Sequence, residues 1–159
     1  MNQKSLSTWL KGAIICLALI GAAVYAFVIP QYGHTIRALE SYSVRYYWAW
    51  LIFVLISGIP CYIALVLGWK VSVQIGLDNS FSYINAAMLR KVAVLAAADA
   101  LYFFAGNIVF WIIGIYEPRD VLISLLPVGC AGAVSTAGAA LSHLIRKAAD
   151  IKNDNDLTI

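Results

Sequence analysis

The sequence predicts an all-α protein, a bundle of four transmembrane helices with both termini in the cytoplasm. Of the 159 residues, 62% are hydrophobic and 12% are charged, whereas an average soluble domain has roughly 25% charged residues. The apolar residues fall into four runs that can each cross a bilayer, since a hydrocarbon core of ~30 Å needs about 20 residues of helix. These runs occupy residues 12–29, 48–69, 92–116 and 121–145.

The positive charges predict the orientation, because Lys and Arg beside transmembrane helices are enriched in cytoplasmic segments. One side of the predicted bundle carries eight basic residues: Lys4, Lys11, Lys70, Arg90, Lys91, Arg146, Lys147 and Lys152. The other side carries three: Arg37, Arg45 and Arg119. We therefore expect one domain over residues 1–159, a multi-pass protein of the cell membrane with a cytoplasmic tail at 146–159.

The first run is predicted to be a retained helix, because it is longer than the apolar part of a typical signal peptide. Pro30 is expected to end this helix. The segment 31–47 is then predicted to be external, with aromatic side chains that anchor it at the membrane interface. Those side chains are Tyr32, Tyr42, Tyr46 and Tyr47, followed by Trp48 and Trp50.

The second and fourth runs contain Pro60 and Pro127, which are expected to kink their helices. The third helix should begin before the membrane, near Ser82, because residues that suit a helix N-cap precede an apolar pattern of helical spacing. The N-cap candidates are Asp78, Asn79, Ser80 and Ser82, and the apolar pattern is Phe81, Ile84, Met88 and Val92.

The third and fourth helices should be antiparallel neighbours, because only residues 117–120 connect them. Small residues of the fourth helix recur four apart and allow close helix contact; the pairs are Gly129/Ala133, Gly132/Thr136 and Gly138/Ser142. This helix is therefore predicted to be the packing centre, with a homo-oligomer contact as the alternative. Apolar spacing continues beyond it, so the helix is expected to enter the cytoplasm and fray near Asn153.

Asp99 is an acidic residue inside an apolar run, where charge is costly and the side chain should face other helices. Counting equal depths on neighbouring helices predicts a polar cluster of Asp99 with Tyr62 and with Thr136 or His143. Asn107, nearer the outside, is predicted to form an interhelical hydrogen bond. Two interpretations of Asp99 stay open: a buried clasp that fixes helix packing, or a proton or cation site.

The pattern of reactive residues predicts no catalytic site. His34 and His143 fall on opposite sides of the membrane, and the chain has no Gly-rich phosphate loop or paired-cysteine motif. Cys16, Cys61 and Cys130 all lie in apolar runs, as small buried hydrophobic residues do. We therefore expect no enzymatic activity, no cofactor and no bound metal.

Two segments on the predicted cytoplasmic side resemble an uncharacterised family of small bacterial four-helix membrane proteins, a domain of unknown function. One is the tail Leu144-Ile145-Arg146-Lys147-Ala148 with Asp154-Asn155-Asp156-Leu157-Thr158-Ile159; the other is Asn79-Ser80-Phe81-Ser82 with Asn85 and Leu89-Arg90-Lys91. Members of that family are often encoded beside a small helix-turn-helix regulator. The resemblance therefore implies a membrane partner for a cytoplasmic DNA-binding protein.

The leading hypothesis is a membrane protein that senses a signal or sequesters a regulator, without binding nucleic acid itself. The predicted contact residues are Phe81, Ser82, Asn85, Arg90, Lys91, Asp154, Asn155, Asp156 and Leu157. A small transporter or immunity-type protein that uses Asp99 is one alternative. A structural subunit of a larger membrane complex is the other.

Overall fold

The computed structural model describes residues 2–40 and 44–156, which are helical over most of their length. The helices are α1 (Gln3–Ala23), α2 (Ile29–Glu40), α3 (Val44–Gly76), α4 (Tyr83–Ile112) and α5 (Pro118–Asp156), and a π-helical turn at Val24–Val28 joins α1 to α2. Four stretches are long and apolar enough to cross a membrane: Gln3–His34, Tyr47–Gly76, Tyr83–Ile112 and Pro118–Asn155. The predicted fold class, all-α with four spans, is confirmed.

The first span continues through Pro30, so the prediction that this residue ends the helix is wrong. Proline lacks an N–H group, and its ring crowds the carbonyl four residues earlier, which here is Ala26. The π-helical turn just before Pro30 widens the backbone where that crowding falls, and the chain then resumes as α2. The predicted external loop at 31–47 is consequently helical up to Glu40 and again from Val44; Tyr42 lies outside the described residues.

The remaining boundaries follow local capping chemistry. Ser82 caps α4, because its side chain accepts a hydrogen bond from the Asn85 backbone N–H, which confirms the predicted start. Helix α4 ends at Ile112, four residues earlier than predicted, in a turn where Gly114 has a φ of 74°. Before α5, the Glu117 N–H donates to Asp120 Oδ2 at 3.1 Å, as in a helix capping box.

The long helices pack in chain order, α1 on α3, α3 on α4, and α4 most extensively on α5. The predicted antiparallel pairing of the last two spans is therefore confirmed. Helix α5 nevertheless lies at one edge of the row and not at its centre, because among the described helices it packs extensively only on α4. The small-residue pattern therefore predicted the wrong position for α5. Of the three pairs, only Gly138 and Ser142 pack closely on α4: Gly138 faces Ala93, and the Ser142 hydroxyl donates a hydrogen bond to α4.

Both described chain ends lie at the same end of the row, which we call the terminal end. There, Ser7 and Ser72 join α1 to α3 through two reciprocal bonds, from Ser7 Oγ to the Ser72 carbonyl at 2.7 Å and from Ser72 Oγ to the Ser7 carbonyl at 2.9 Å. At the opposite end, the buried core is formed by Phe53, Val54, Phe110 and Ile115.

An aromatic layer joins α3 to the α4–α5 turn beside that core. The Trp50 indole N–H donates to the Tyr116 hydroxyl at 2.6 Å, and the Tyr116 ring packs against Phe110. Burial is the main cause that raises the pKa of the Tyr116 phenol to about 12. The phenol is therefore neutral at physiological pH and serves as a hydrogen-bonding packing group.

Candidate functional sites

Asp99 lies on α4 and faces Cys61 of α3, with its Oδ2 atom 3.9 Å from the Cys61 Sγ atom. Its other oxygen, Oδ1, is buried and has no hydrogen-bond partner among the described residues. Cys61 follows Pro60, the proline inside α3. The sequence singled out Asp99 but gave no reason to select Cys61, which resembles an ordinary apolar residue of its run.

The other members of the predicted intramembrane cluster point elsewhere. Tyr62 donates to the Ala18 carbonyl of α1 at 3.0 Å, and Thr136 donates to carbonyls of its own helix. His143 is exposed. Asn107 donates to the Phe103 carbonyl, also within its own helix, at 2.5 Å. The structure therefore does not bring these four side chains to Asp99.

A second pair of polar groups lies close to Asp99. Tyr25, which sits in the π-helical turn, has its hydroxyl 3.4 Å from Ser57 Oγ of α3, and the Ser57 hydroxyl donates to the Val54 carbonyl. Gly58 makes room for this arrangement, because a Cβ there would lie 3.0 Å from the Tyr25 ring. The π-helical turn in the first span marks this site in the structure, but the sequence analysis did not predict that turn.

The second candidate region is a surface at the terminal end. It consists of the exposed side chains on the α3–α4 loop, the first turn of α4 and the last turns of α5: Leu77, Phe81, Tyr83, Ile84, Asp150 and Asp154. We call this set the terminal-end surface. The Tyr83 hydroxyl donates to Asp150 Oδ1 at 2.6 Å, so the start of α4 and the extension of α5 are in direct contact.

The residues predicted to contact a partner separate into three groups. Phe81, Asp154 and Asn155 are exposed on or beside the terminal-end surface, and Arg90 and Lys91 are exposed further along α4. Ser82 acts as the α4 cap. Leu157 lies outside the described residues, as does the side chain of Asp156.

Asn85 is fully buried and cannot contact a partner protein. Its side-chain amide donates to the carbonyls of Asn79 and Ser80 at 2.9 and 3.0 Å, so it holds the α3–α4 loop closed. This residue was assigned to the contact set because it belongs to a recognisable sequence motif, and the structure explains the motif as loop architecture.

No group of three or more His, Cys, Asp or Glu side chains that could hold a metal occurs in residues 2–40 and 44–156. All three cysteines, Cys16, Cys61 and Cys130, carry free thiols and are exposed on the surface of the helix row, so the prediction that they are small buried residues is wrong. The structure thus offers two regions of functional interest: the polar layer around Asp99 and the terminal-end surface.

Four apolar spans joined by short connections define a multi-pass membrane protein. Comparison with known proteins gives its family: residues 33–159 match the family described as "Protein of unknown function (DUF2975)", and the chain belongs to that family. It is also 26% identical, over 163 aligned positions covering all of both chains, to "Uncharacterized membrane protein YoaS" of Bacillus subtilis (strain 168). No solved structure matches.

Proposed function

We propose that this protein is a non-enzymatic membrane anchor that binds a cytoplasmic helix-turn-helix regulator through the terminal-end surface. The observation that carries the proposal is the hydrogen bond from Tyr83 to Asp150, which joins residues 67 positions apart in the sequence. This contact brings the two segments that resemble family motifs into one continuous surface. Such a surface can recognise a partner that neither segment could hold alone.

The apolar part of the surface favours protein binding. Leu77, Phe81 and Ile84 are 69%, 56% and 57% exposed. Ile84 precedes Arg90 by six residues, which is about 9 Å along a helix, so these side chains extend beyond the basic residues expected at the lipid headgroups. Clustered exposed apolar side chains at such a position are typical of protein interaction sites.

The acidic part of the surface favours a DNA-binding partner. Asp150 and Asp154 are four residues apart and share one face of α5. A helix-turn-helix protein contacts DNA phosphates with Lys and Arg side chains, and an acidic helix face is complementary to such a basic surface. Binding here would compete with DNA, which is how a membrane protein could sequester a regulator.

Co-purification with a helix-turn-helix regulator encoded beside the gene, which the family resemblance leads us to expect, tests the proposal. We expect the pair Phe81→Ala and Ile84→Ala, the pair Asp150→Asn and Asp154→Asn, and a chain ending at Lys147 each to lose at least about tenfold in affinity, as truncation of central contact residues does. The control pair, Leu122→Ala and Leu126→Ala, changes exposed apolar side chains of α5 within the membrane.

The control pair should retain the regulator, and DNA carrying the regulator's binding site should release it from the full chain. If the three altered proteins hold the regulator as well as the full chain does, this surface is not the binding site and the proposal fails.

A further inference from the structure

Asp99 is isolated from compensating charge inside the membrane. It lies nine residues beyond Arg90, which is about 14 Å along α4. Among the described residues, Oδ1 has no hydrogen-bond partner and Oδ2 has only the Cys61 thiol. An ionised carboxylate at this depth, without a cation, is costly in free energy.

The groups that face Asp99 supply no positive charge. From α3 this is Cys61, from the π-helical turn Tyr25, and from α4 itself Tyr102; Tyr62 of α3 faces α1 instead. The Tyr62 and Tyr102 hydroxyls donate to the Ala18 and Phe53 carbonyls, and the Tyr25 hydroxyl pairs with Ser57. No ionisable side chain of the described part of α5 contacts Asp99. Of these groups, Cys61 is therefore the one that forms a hydrogen bond with the Asp99 carboxyl group.

We propose that Asp99 and Cys61 form an intramembrane site that reversibly binds one proton. The carboxylate takes the proton from water as an O–H bond and returns it to water on release. The thiol fits both states, because a thiol is a weak donor and a weak acceptor. It donates to the carboxylate in the empty state and accepts from the carboxylic acid in the loaded state.

The backbone beside this site departs from a regular α-helix in the first span, and in α3 a proline removes one helical hydrogen bond. Tyr25 lies within the π-helical turn, and Cys61 directly follows Pro60. Such irregularities are common at functional sites, and interrupted helices in transporters often lie at the ion or proton site. Proton loading at Asp99 would therefore act where α1 and α3 can change shape, independently of the proposed regulator surface.

Infrared spectroscopy of the protein in lipid nanodiscs tests the proposal through the carbonyl stretch of a protonated carboxyl group. We expect one such band at the start of a titration from about pH 5 to about pH 9, and we expect it to disappear as the pH is raised. Asp99→Asn should lack the band. Asp120→Asn, which alters a carboxylate near the α4–α5 turn, should retain it.

Cys61→Ala provides a second variant that keeps the carboxyl group. We expect its band to shift to higher frequency, because the acid has lost its hydrogen-bond acceptor. If Asp99→Asn does not fold, the titration of the wild-type band and its shift in Cys61→Ala still decide the question.

Two results would overturn the proposal. A spectrum without a protonated carboxyl band anywhere in this pH range would mean that Asp99 stays ionised. A band that is unchanged across the whole range would mean that Asp99 is a permanently neutral structural group and exchanges no proton.

Discussion

Single side chains at the terminal end decide how the α3–α4 loop is held. The Asn85 amide bonds two loop carbonyls while its backbone N–H bonds the Ser82 hydroxyl. One buried residue therefore fixes both the loop and the helix cap. Phe81 lies between these anchor points, so its exposure on the terminal-end surface depends on Asn85. Asn85 itself is buried and does not contact a partner protein.

Replacing Asn85 by alanine should destabilise the protein. The change removes two hydrogen bonds to loop carbonyls, and we expect a loss of about 1–3 kcal/mol in the free energy of unfolding. Thermal unfolding in detergent, followed by circular dichroism, measures this loss. Asn153→Ala, at an exposed position on α5, is the control and should unfold as the wild type does. Equal stability of the two variants would contradict the role of Asn85 in the loop.

Prediction of single residues from the sequence succeeded where a residue type was unusual for its sequence context. Asp99 stood out because a carboxyl group is rare in an apolar run. Its neighbour Cys61 could not be chosen from the sequence, because a cysteine inside an apolar run does not stand out from the residues around it. Tyr62 was chosen by equal depth alone, but depth does not determine which neighbouring helix a side chain faces, and Tyr62 faces α1.

At the scale of helices, glycines distinguish the central α4 from the edge helix α5. A Cβ at Gly106 of α4 would overlap the Phe53 ring, whereas a Cβ at Gly129 or Gly132 of α5 would meet nothing within 4 Å. The same residue type thus allows close packing in one helix and faces away from the rest of the described chain in the other. A homo-oligomer contact through the open α5 face stays a prediction.

Two alanine substitutions should separate these environments. Gly106→Ala should destabilise by about 1–3 kcal/mol, because it overpacks the buried aromatic core. Gly129→Ala should be neutral or stabilise by up to about 1 kcal/mol, since alanine is the better helix former. Unfolding of both variants in the same detergent provides the comparison. A Gly106→Ala protein as stable as Gly129→Ala would contradict the assignment of α4 to the centre of the row.

Helix boundaries were predictable wherever chemistry within a few residues sets them. The Ser82 cap is such a case and is confirmed. The connection between the last two spans is short, as predicted, but it occupies residues 113–117 and not 117–120, because α5 already begins at Pro118. The continuation of the first span beyond Pro30 was not predictable in this way. It depends on packing of the later turns, where Gly33 is buried against Tyr47 and Trp50 of α3.

The whole molecule is an open row, and this arrangement determines how much of it depends on lipid. In the most apolar stretches of the first and last spans, no residue is buried inside the protein, whereas 28% of the corresponding α3 stretch is buried. The edge helices therefore turn most of their apolar surface away from the rest of the described chain. The four-span class could be read from composition, but the order of the helices in the row required the three-dimensional contacts.

The orientation of the row can be tested with single cysteines. In a background with Cys16→Ser, Cys61→Ser and Cys130→Ser, we expect Glu117→Cys to react with a membrane-impermeant maleimide in intact cells. Asn153→Cys should react only after the cells are permeabilised, because the distribution of basic residues predicts that the terminal end lies in the cytoplasm. Labelling of Asn153→Cys in intact cells would reverse the predicted orientation.

The π-helical turn also constrains how the first span can vary in length during evolution. A π-turn contains one residue more than an α-turn, and deleting one residue from a regular helix rotates everything before it by about 100°. Such a rotation upstream would separate Ser7 from Ser72 and move Lys11 away from the Trp69 ring, over which its ammonium group lies at 5.7 Å. Within Val24–Val28, the same deletion could be absorbed by conversion to a regular α-helix. The turn is therefore the position in this span where a one-residue length change can be accommodated.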